Sequence, residues 1–315
     1  MGGSTAGTIV VAGGANIDIG GQSQGPLAYR DSNPGTVTVS LGGVGRNIAH
    51  NLRLLGAPVC LLTALGEDAY AQELRRSCQA LGIDLTAALG VPGGRTSTYV
   101  FLNDHRGDMA LAVSDMALYD QLTPDYFAQR LDLLNAAALV VVDTNLPKAS
   151  LDYLAQHCTA PLFADPVSTQ KAAKLLGNLG RLHTIKPNRL EAELLSGVAI
   201  EADGKGLERA AQTLLDTGLQ RVFITLGPEG TYAAQGDQRC FLPALPAQVR
   251  NATGGGDAFM AGLAWAYLRG ASLQESAQLA AAASTIAVEG VATINPALSP
   301  QAVEARRFPQ QEEKG

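Results

Sequence analysis

The chain has 315 residues, 46% hydrophobic and 17% charged, which is enough for one large α/β domain or one domain with a small appendage. Its formal charge of −6 comes without a Lys/Arg stripe, so a small ligand is expected rather than a nucleic-acid polymer. Apolar runs such as Leu139 to Val142 fall far short of the ~20 residues of a membrane span. Met1-Gly2-Gly3-Ser4-Thr5 lacks the basic and apolar segments of a signal peptide, and the scattered Cys60, Cys78, Cys158 and Cys240 read as reduced thiols of a cytoplasmic protein without a zinc site.

Residues 8–12 form a short β-branched run that predicts a buried strand ending at Gly13-Gly14. Asn16 and Asp18 follow, two apart and so on one side of extended backbone. Open α/β sheets bind ligands beyond such strand ends, although a plain Asn/Asp turn would put the same residues there. From 20 to 41 the chain is polar with a β-prone end, predicting two exposed strands joined by Asp31-Ser32-Asn33-Pro34-Gly35. Ser32 and Asn33 either read a ligand or build that turn. Gly42-Gly43-Val44-Gly45-Arg46-Asn47 then runs into a helix with apolar positions at 48, 52 and 55, stopped by Gly56. Glycines at its start let a ligand approach the backbone, and Asn47 offers hydroxyls both a donor and an acceptor. This is no dinucleotide fingerprint, because it follows a polar segment and no acidic residue ends the next strand, 59–63.

A helix over 69–81 and a hinge at 91–94 precede a hairpin signal, 96–102 and 108–113. With 20–40 the hairpin makes a four-stranded flap inserted twice into a parallel α/β chain. The predicted division is an α/β domain of 1–19, 41–95 and 113–315, and a β-sheet lid of 20–40 and 96–112. Regular alternation follows: helix 125–134, strand 138–142, helix 148–157 and strand 161–164, with Asp143 and Asp165 at the two strand ends. After Lys186-Pro187, Asn188 and Glu191 are three apart at a helix start. They form either a capping box or a pair that holds phosphate and hydrated Mg²⁺. The strand 221–226 brings Thr225 and Gly227 to the same edge, and short β stretches at 231–234 and 240–242 follow.

Asn251-Ala252-Thr253-Gly254-Gly255-Gly256-Asp257 is the centre of the sequence. Three glycines before a helix start allow a tight turn whose amides and positive helix end suit an anion. A carboxylate there either caps the helix or takes the proton of an alcohol that attacks a phosphoryl group. The helix 257–269 is apolar nearly all round, 273–288 is alanine-rich, and the charged tail from 309 is expected to fray.

The glycine motifs at 42–47 and 253–257, in this order and with Lys186-Pro187-Asn188-x-x-Glu191 between them, resemble the two signatures of the ribokinase (phosphofructokinase B) family of carbohydrate kinases. The resemblance covers 13 to about 295 and implies a three-layer α/β/α domain with a mainly parallel sheet and a small β-sheet lid. It implies ATP and Mg²⁺, with Asp257 as base and Gly254, Gly255 and Gly256 as the anion hole. Asn16, Asp18, Ser32, Gly42, Gly43 and Asn47 would face the acceptor; Asn188, Thr225, Gly227, Gly230 and Gly256 the nucleotide. Glu191 would serve Mg²⁺ through water. Asn251, Thr253 and Asn295, with backbone near Val288, would supply a K⁺ site. Gly14-Ala15-Asn16-Ile17-Asp18, the 31–35 turn and Asp165-Pro166-Val167-Ser168 look like members that phosphorylate the 5′-hydroxyl of pseudouridine. Ribose, adenosine and inosine are the rival acceptors, and a non-catalytic nucleoside sensor is the rival outside enzymes. Two positions depart from the family: Gly255 stands where it usually has alanine, and Asn251 where its cation site has an acid. The bare face of a four-stranded flap predicts a homodimer through the lid.

Overall fold

The computed structural model describes residues 7–307, so the expectations for 1–5 and for the tail from 309 lie outside the described residues. An eight-stranded sheet runs in the order Gln238–Pro243, Gly230–Gln235, Arg221–Thr225, Thr184–Ile185, Leu162–Asp165, Leu139–Asp143, Ile9–Ala12, Val59–Leu62. The six strands from Arg221–Thr225 onward are parallel, and the other two close one edge antiparallel.

Continuous apolar runs fit strands covered on both faces. Ile9–Ala12 is wholly buried: Val10 and Ala12 pack into one core, Ile9 and Val11 into the other. Helices Val44–Leu54, Gly255–Leu268 and Leu273–Val288 contribute to the second core, while Lys148–His157 and Leu207–Leu215 contribute to the first. The result is the expected three-layer α/β/α architecture.

Two helices differ from the sequence expectation. The helix over 125–134 is split into Pro124–Ala128 and Leu131–Asn135, because Arg130 leaves helical dihedrals at φ −119 and ψ 12. Its guanidinium is turned back to the carbonyls of Ala87 and Tyr126, at 2.8 and 2.9 Å. The helix expected from 257 starts at Gly255, since Gly254 takes the left-handed conformation (φ +87) that reverses the chain one residue earlier. Among the described residues, no helix is long and apolar enough to cross a membrane.

A separate four-stranded sheet has the order Gly35–Gly42, Asn16–Ser23, Thr98–Asn103, Met109–Asp115. Its first strand starts at Asn16, not at 20, so the sheet grows directly out of the carboxyl end of Ile9–Ala12. Alternation divides its faces. Asp18, Gln22, Thr38, Ser40, Tyr99 and Phe101 look into a cleft, whereas Val37, Val39, Leu102, Leu111 and Val113 point away and are exposed. Gly20 is needed on the cleft face: a Cβ there would lie 2.5 Å from the Phe101 ring, which crosses the strand at that point.

Candidate active site

The cleft, about 1190 Å³, lies between the small sheet and the carboxyl ends of the parallel strands. It brings together the two glycine motifs. Asn47, in the first turn of Val44–Leu54, donates from Nδ2 to Asp257 Oδ2 at 2.9 Å across 210 residues of sequence. The first amides of Gly255–Leu268 have no carbonyl of their own helix to reach, and with the helix dipole they make a corner suited to an anion. Gly254 is held there by close approach, since a Cβ would strike the Thr293 carbonyl. Gly43 (φ +97) has the same constraint against the Gly14 carbonyl.

Asn16 and Asp18 both line the cleft, and Asn16 Nδ2 donates to Asp18 Oδ1 at 2.6 Å. Burial raises the Asp18 pKa, while Asn16 and Arg46 oppose the rise. Gly42 does not line the cleft. It sits behind Asp18, where any side chain would meet that carboxylate. Ser32 is exposed at the turn and is not among the residues that line the cleft; its amide donates to Asp31 Oδ1 at 2.7 Å. Asn33 is spent on the same turn, its side chain bonding Ala28 and Asp31 backbone.

Along the same sheet edge, Thr225 donates its amide to the Pro187 carbonyl at 2.9 Å and pairs beside Asn188, with Gly227 exposed next to them. Gly230 is buried at φ +127 with its Cβ position against the Leu242 carbonyl, which leaves room for glycine alone at the start of Gly230–Gln235. Asn188 and Glu191 form a full capping box: Asn188 Oδ1 accepts the Glu191 amide at 2.9 Å and Glu191 Oε2 accepts the Asn188 amide at 2.8 Å.

Sequence reasoning gave no role to Lys186, which structure puts at the centre. Its side chain is buried, with Nζ 3.1 Å from Asp165 Oδ2 and 3.1 Å from where a Cβ on Gly256 would lie. Burial pulls its pKa down, but Asp165 first, then Glu191 and Asp257, hold it above the ordinary lysine value. Lys171, which donates to Asn145 Oδ1 at 2.6 Å, is a further cation without an assigned role and, unlike the buried Lys186, lines the cleft itself. The legible signal was the pair of strand-terminal acids: Asp143 and Asp165 stand in register on neighbouring strands and need a cation nearby.

Electrostatics single out Asp257. Burial and then Asp165 push its pKa up to about 7; the Asn47 hydrogen bond and Lys186 pull against them, and Asp143 adds to the rise. Asp143 is pushed up to about 6 by burial, against amide hydrogen bonds from Gly14 and Asn145. A carboxyl poised near neutrality beside an anion corner is suited to take a proton from an alcohol.

Residues 6–300 match the family model described as pfkB family carbohydrate kinase. The chain belongs to this family. It is 39% identical to pseudouridine kinase of Escherichia coli strain K12 over 92% of this chain and 93% of that protein. It is 37% identical to the uncharacterized sugar kinase YeiI of the same strain, over 92% of this chain and 80% of that one. Among solved structures, a carbohydrate kinase from Agrobacterium tumefaciens has TM-score 0.84 at 29% identity, covering 95% and 96% of the two chains. Arabidopsis thaliana ribokinase complexed with ribose and ATP shares the fold at TM-score 0.85 and 23% identity, covering 96% and 100%.

This pfkB kinase is therefore a phosphotransferase with a hydroxyl acceptor, and its family implies ATP use. The donor set around Glu191 fits Mg²⁺ held through water: Oε2 is taken by the Asn188 amide, and Oε1 has no hydrogen-bond partner among the described residues. The K⁺ set does not fit. Asn251 Oδ1 accepts the Thr253 amide at 2.9 Å while its Nδ2 donates to the Val291 carbonyl at 3.2 Å, and Asn295 Nδ2 donates to the Ile286 carbonyl at 2.6 Å. The Val288 carbonyl already accepts the amides of Arg250 and Asn251. The side-chain amides of Asn251 and Asn295 are thus already engaged by backbone groups.

Gly255, the departure from the family's alanine, is accounted for by its neighbours. A Cβ there would lie 2.8 Å from Val288 Cγ1 and 3.3 Å from Ser284 Oγ, so Val288 fills the space of the missing methyl.

Proposed function

We propose that this kinase transfers the γ-phosphoryl of ATP to the 5′-hydroxyl of pseudouridine, with Asp257 as general base. The observation that carries the reading is the Asp257 carboxylate, anchored by Asn47 at the amide-lined helix start. The relative named pseudouridine kinase supports the acceptor, as does a cleft wall offering Tyr99 and Phe101 to a base. YeiI is nearly as similar, so the alternative is another nucleoside (adenosine or inosine) or ribose. A non-catalytic sensor would have no use for a base at the anion corner.

In this mechanism Asn16, Asp18 and Asn47 hold the ribose hydroxyls, and the small sheet closes as a lid that excludes water. Asp257 takes the 5′-hydroxyl proton as that oxygen bonds to the γ-phosphorus and the bond to the β-phosphate oxygen breaks, releasing ADP. The Gly255, Gly256 and Asp257 amides, Lys186 and Lys171 stabilise the transferring charge. Asn188, Thr225 and Gly227 lie along the nucleotide side. Glu191 would hold Mg²⁺ through water, and the bound ion would supply charge neutralisation to the phosphates.

Side-by-side phosphorylation of pseudouridine, uridine, adenosine and ribose, with and without K⁺, tests the reading. Pseudouridine should be preferred by at least about tenfold in kcat/KM, at equal rates with Na⁺ or K⁺. Good turnover of ribose would overturn the acceptor, and no turnover of any would bring the sensor forward. Because the base must be ionised, kcat/KM should fall as pH drops below about 7, the value to which the Asp257 pKa is pushed. A profile flat down to pH ~5 would be incompatible with this base.

The aliphatic outer face of the lid sheet, with Val37 at 73% and Leu111 at 60% exposure, fits a second copy of the chain. Val39→Glu is expected to convert a dimer to monomer in size-exclusion chromatography with light scattering. A monomeric parent protein would refute the assembly. The four cysteines are all unpaired thiols, in keeping with the reducing cytoplasm.

A further inference from the structure

Asp165 is buried, touches the active site through Lys186, and has no part in the mechanism above. It closes Leu162–Asp165, and its side chain is 4% exposed against 8% for that of Lys186. One oxygen, Oδ1, accepts the Val167 amide at 2.9 Å; the other has the Lys186 ammonium as its close partner. The loop that follows is held tightly. Val167 is at φ +63, a strained conformation for a β-branched residue, while Thr144 bonds the Pro166 carbonyl and the Asp165 carbonyl. Asp165 is therefore a fixed point, whereas a lysine carries four rotatable bonds.

A buried ion pair is a poor way to gain stability, since desolvation of both charges offsets their attraction. This one has a geometrical product. Lys186 Nζ is held against the backbone of the turn that binds the anion, 3.1 Å from the position of a Gly256 methyl. Two other carboxylates compete for the same ammonium, Glu191 and Asp257. Were Lys186 to swing to Asp257, it would quench the base.

We infer that Asp165 is a positioning residue for phosphoryl transfer: its carboxylate keeps Lys186 under the Gly254–Gly256 turn, where the ammonium meets the transferred phosphoryl, and away from Asp257. The inference rests on the reading of Asp257 as base and of the turn as anion hole. The charged and titratable groups facing Asp257 are Asp165, Lys186 and Asp143; those facing Asp165 are Lys186, Asp143, Asp257 and Glu191.

Asp165→Asn keeps the shape and removes the charge. The kcat should fall by about tenfold or more, with acceptor KM within about twofold. The acid limb of the kcat profile should move to lower pH, because a negative neighbour is lost and Lys186 turns to Asp257. In a Lys186→Met background the same change should cost no further kcat, since the lysine it positions is gone. An Asp165→Asn enzyme with parental kcat and an unmoved acid limb overturns the inference, as do losses that multiply in the double variant. Should Asp165→Asn fail to fold, Asp165→Glu carries the test. The charge stays but the ammonium is displaced, so kcat falls, and parental kcat overturns the inference. An active Asp257→Asn enzyme would instead refute the underlying base, so the two failures are told apart.

Discussion

Asp257→Asn is expected to lower kcat by about a thousandfold while leaving both substrate KM values within a few-fold. Asparagine keeps an oxygen for the Asn47 Nδ2 hydrogen bond and leaves the helix-start amides in place, so binding survives and only proton transfer is lost. The same variant should be more heat-stable than its parent. In the folded protein Asp257 titrates near 7, well above the carboxylate value of 3.8, so the native state binds a proton that the unfolded chain has released. Stability then falls as pH rises between those two values, and the cost is complete above the upper one. The gain in Tm from asparagine should accordingly be small at pH ~4, grow towards pH ~7 and level off above it. A variant that turns over normally would eliminate the base, and one with no Tm gain at pH ~8 would eliminate the account of its environment.

Lys186→Met should do the opposite to stability. It leaves the Asp165 carboxylate buried and unpaired, at a cost of about 3–5 kcal/mol. It should also lower kcat by about a hundredfold or more by removing a cation next to the anion hole. With Lys186 gone, one of the two influences that lower the Asp257 pKa is lost, so the acid limb of the pH profile should move up. Adding Asp165→Asn should restore much of the melting temperature but none of the rate. Guanidinium unfolding curves and initial rates on the three variants check this. Rate recovery in the double variant would mean that Lys186 matters for folding rather than for transfer.

The parts of the site that sequence made legible are those where backbone geometry selects a residue type. Glycine at 43 and 254 is required by positive φ and by the carbonyls of Gly14 and Thr293, and a motif of glycines reports such places. The capping box of Asn188 and Glu191 is likewise local. The large parallel sheet followed from apolar runs of strand length, and the order of the motifs gave the family. What stayed hidden depends on partners remote in sequence. The need for glycine at 230 comes from the Leu242 carbonyl of the neighbouring strand. The break at Arg130 comes from the Ala87 carbonyl, and Lys186 gains its meaning only when the Asp143 and Asp165 strands are set in register.

The alternating faces of the small sheet have a consequence for how this enzyme can change. Residues that would meet the acceptor, such as Thr38 and Phe101, and those on the outer side, such as Val39 and Leu102, belong to the same strands but to opposite parities. Substitutions of one parity can alter acceptor choice without disturbing the aliphatic side, and the other parity can vary with little effect on acceptor choice. A single-residue deletion in Gly35–Gly42 would breach that separation, turning valines into the cleft and threonines outward on one side of it. Drift by point substitution is therefore open to this sheet, and drift by deletion is closed.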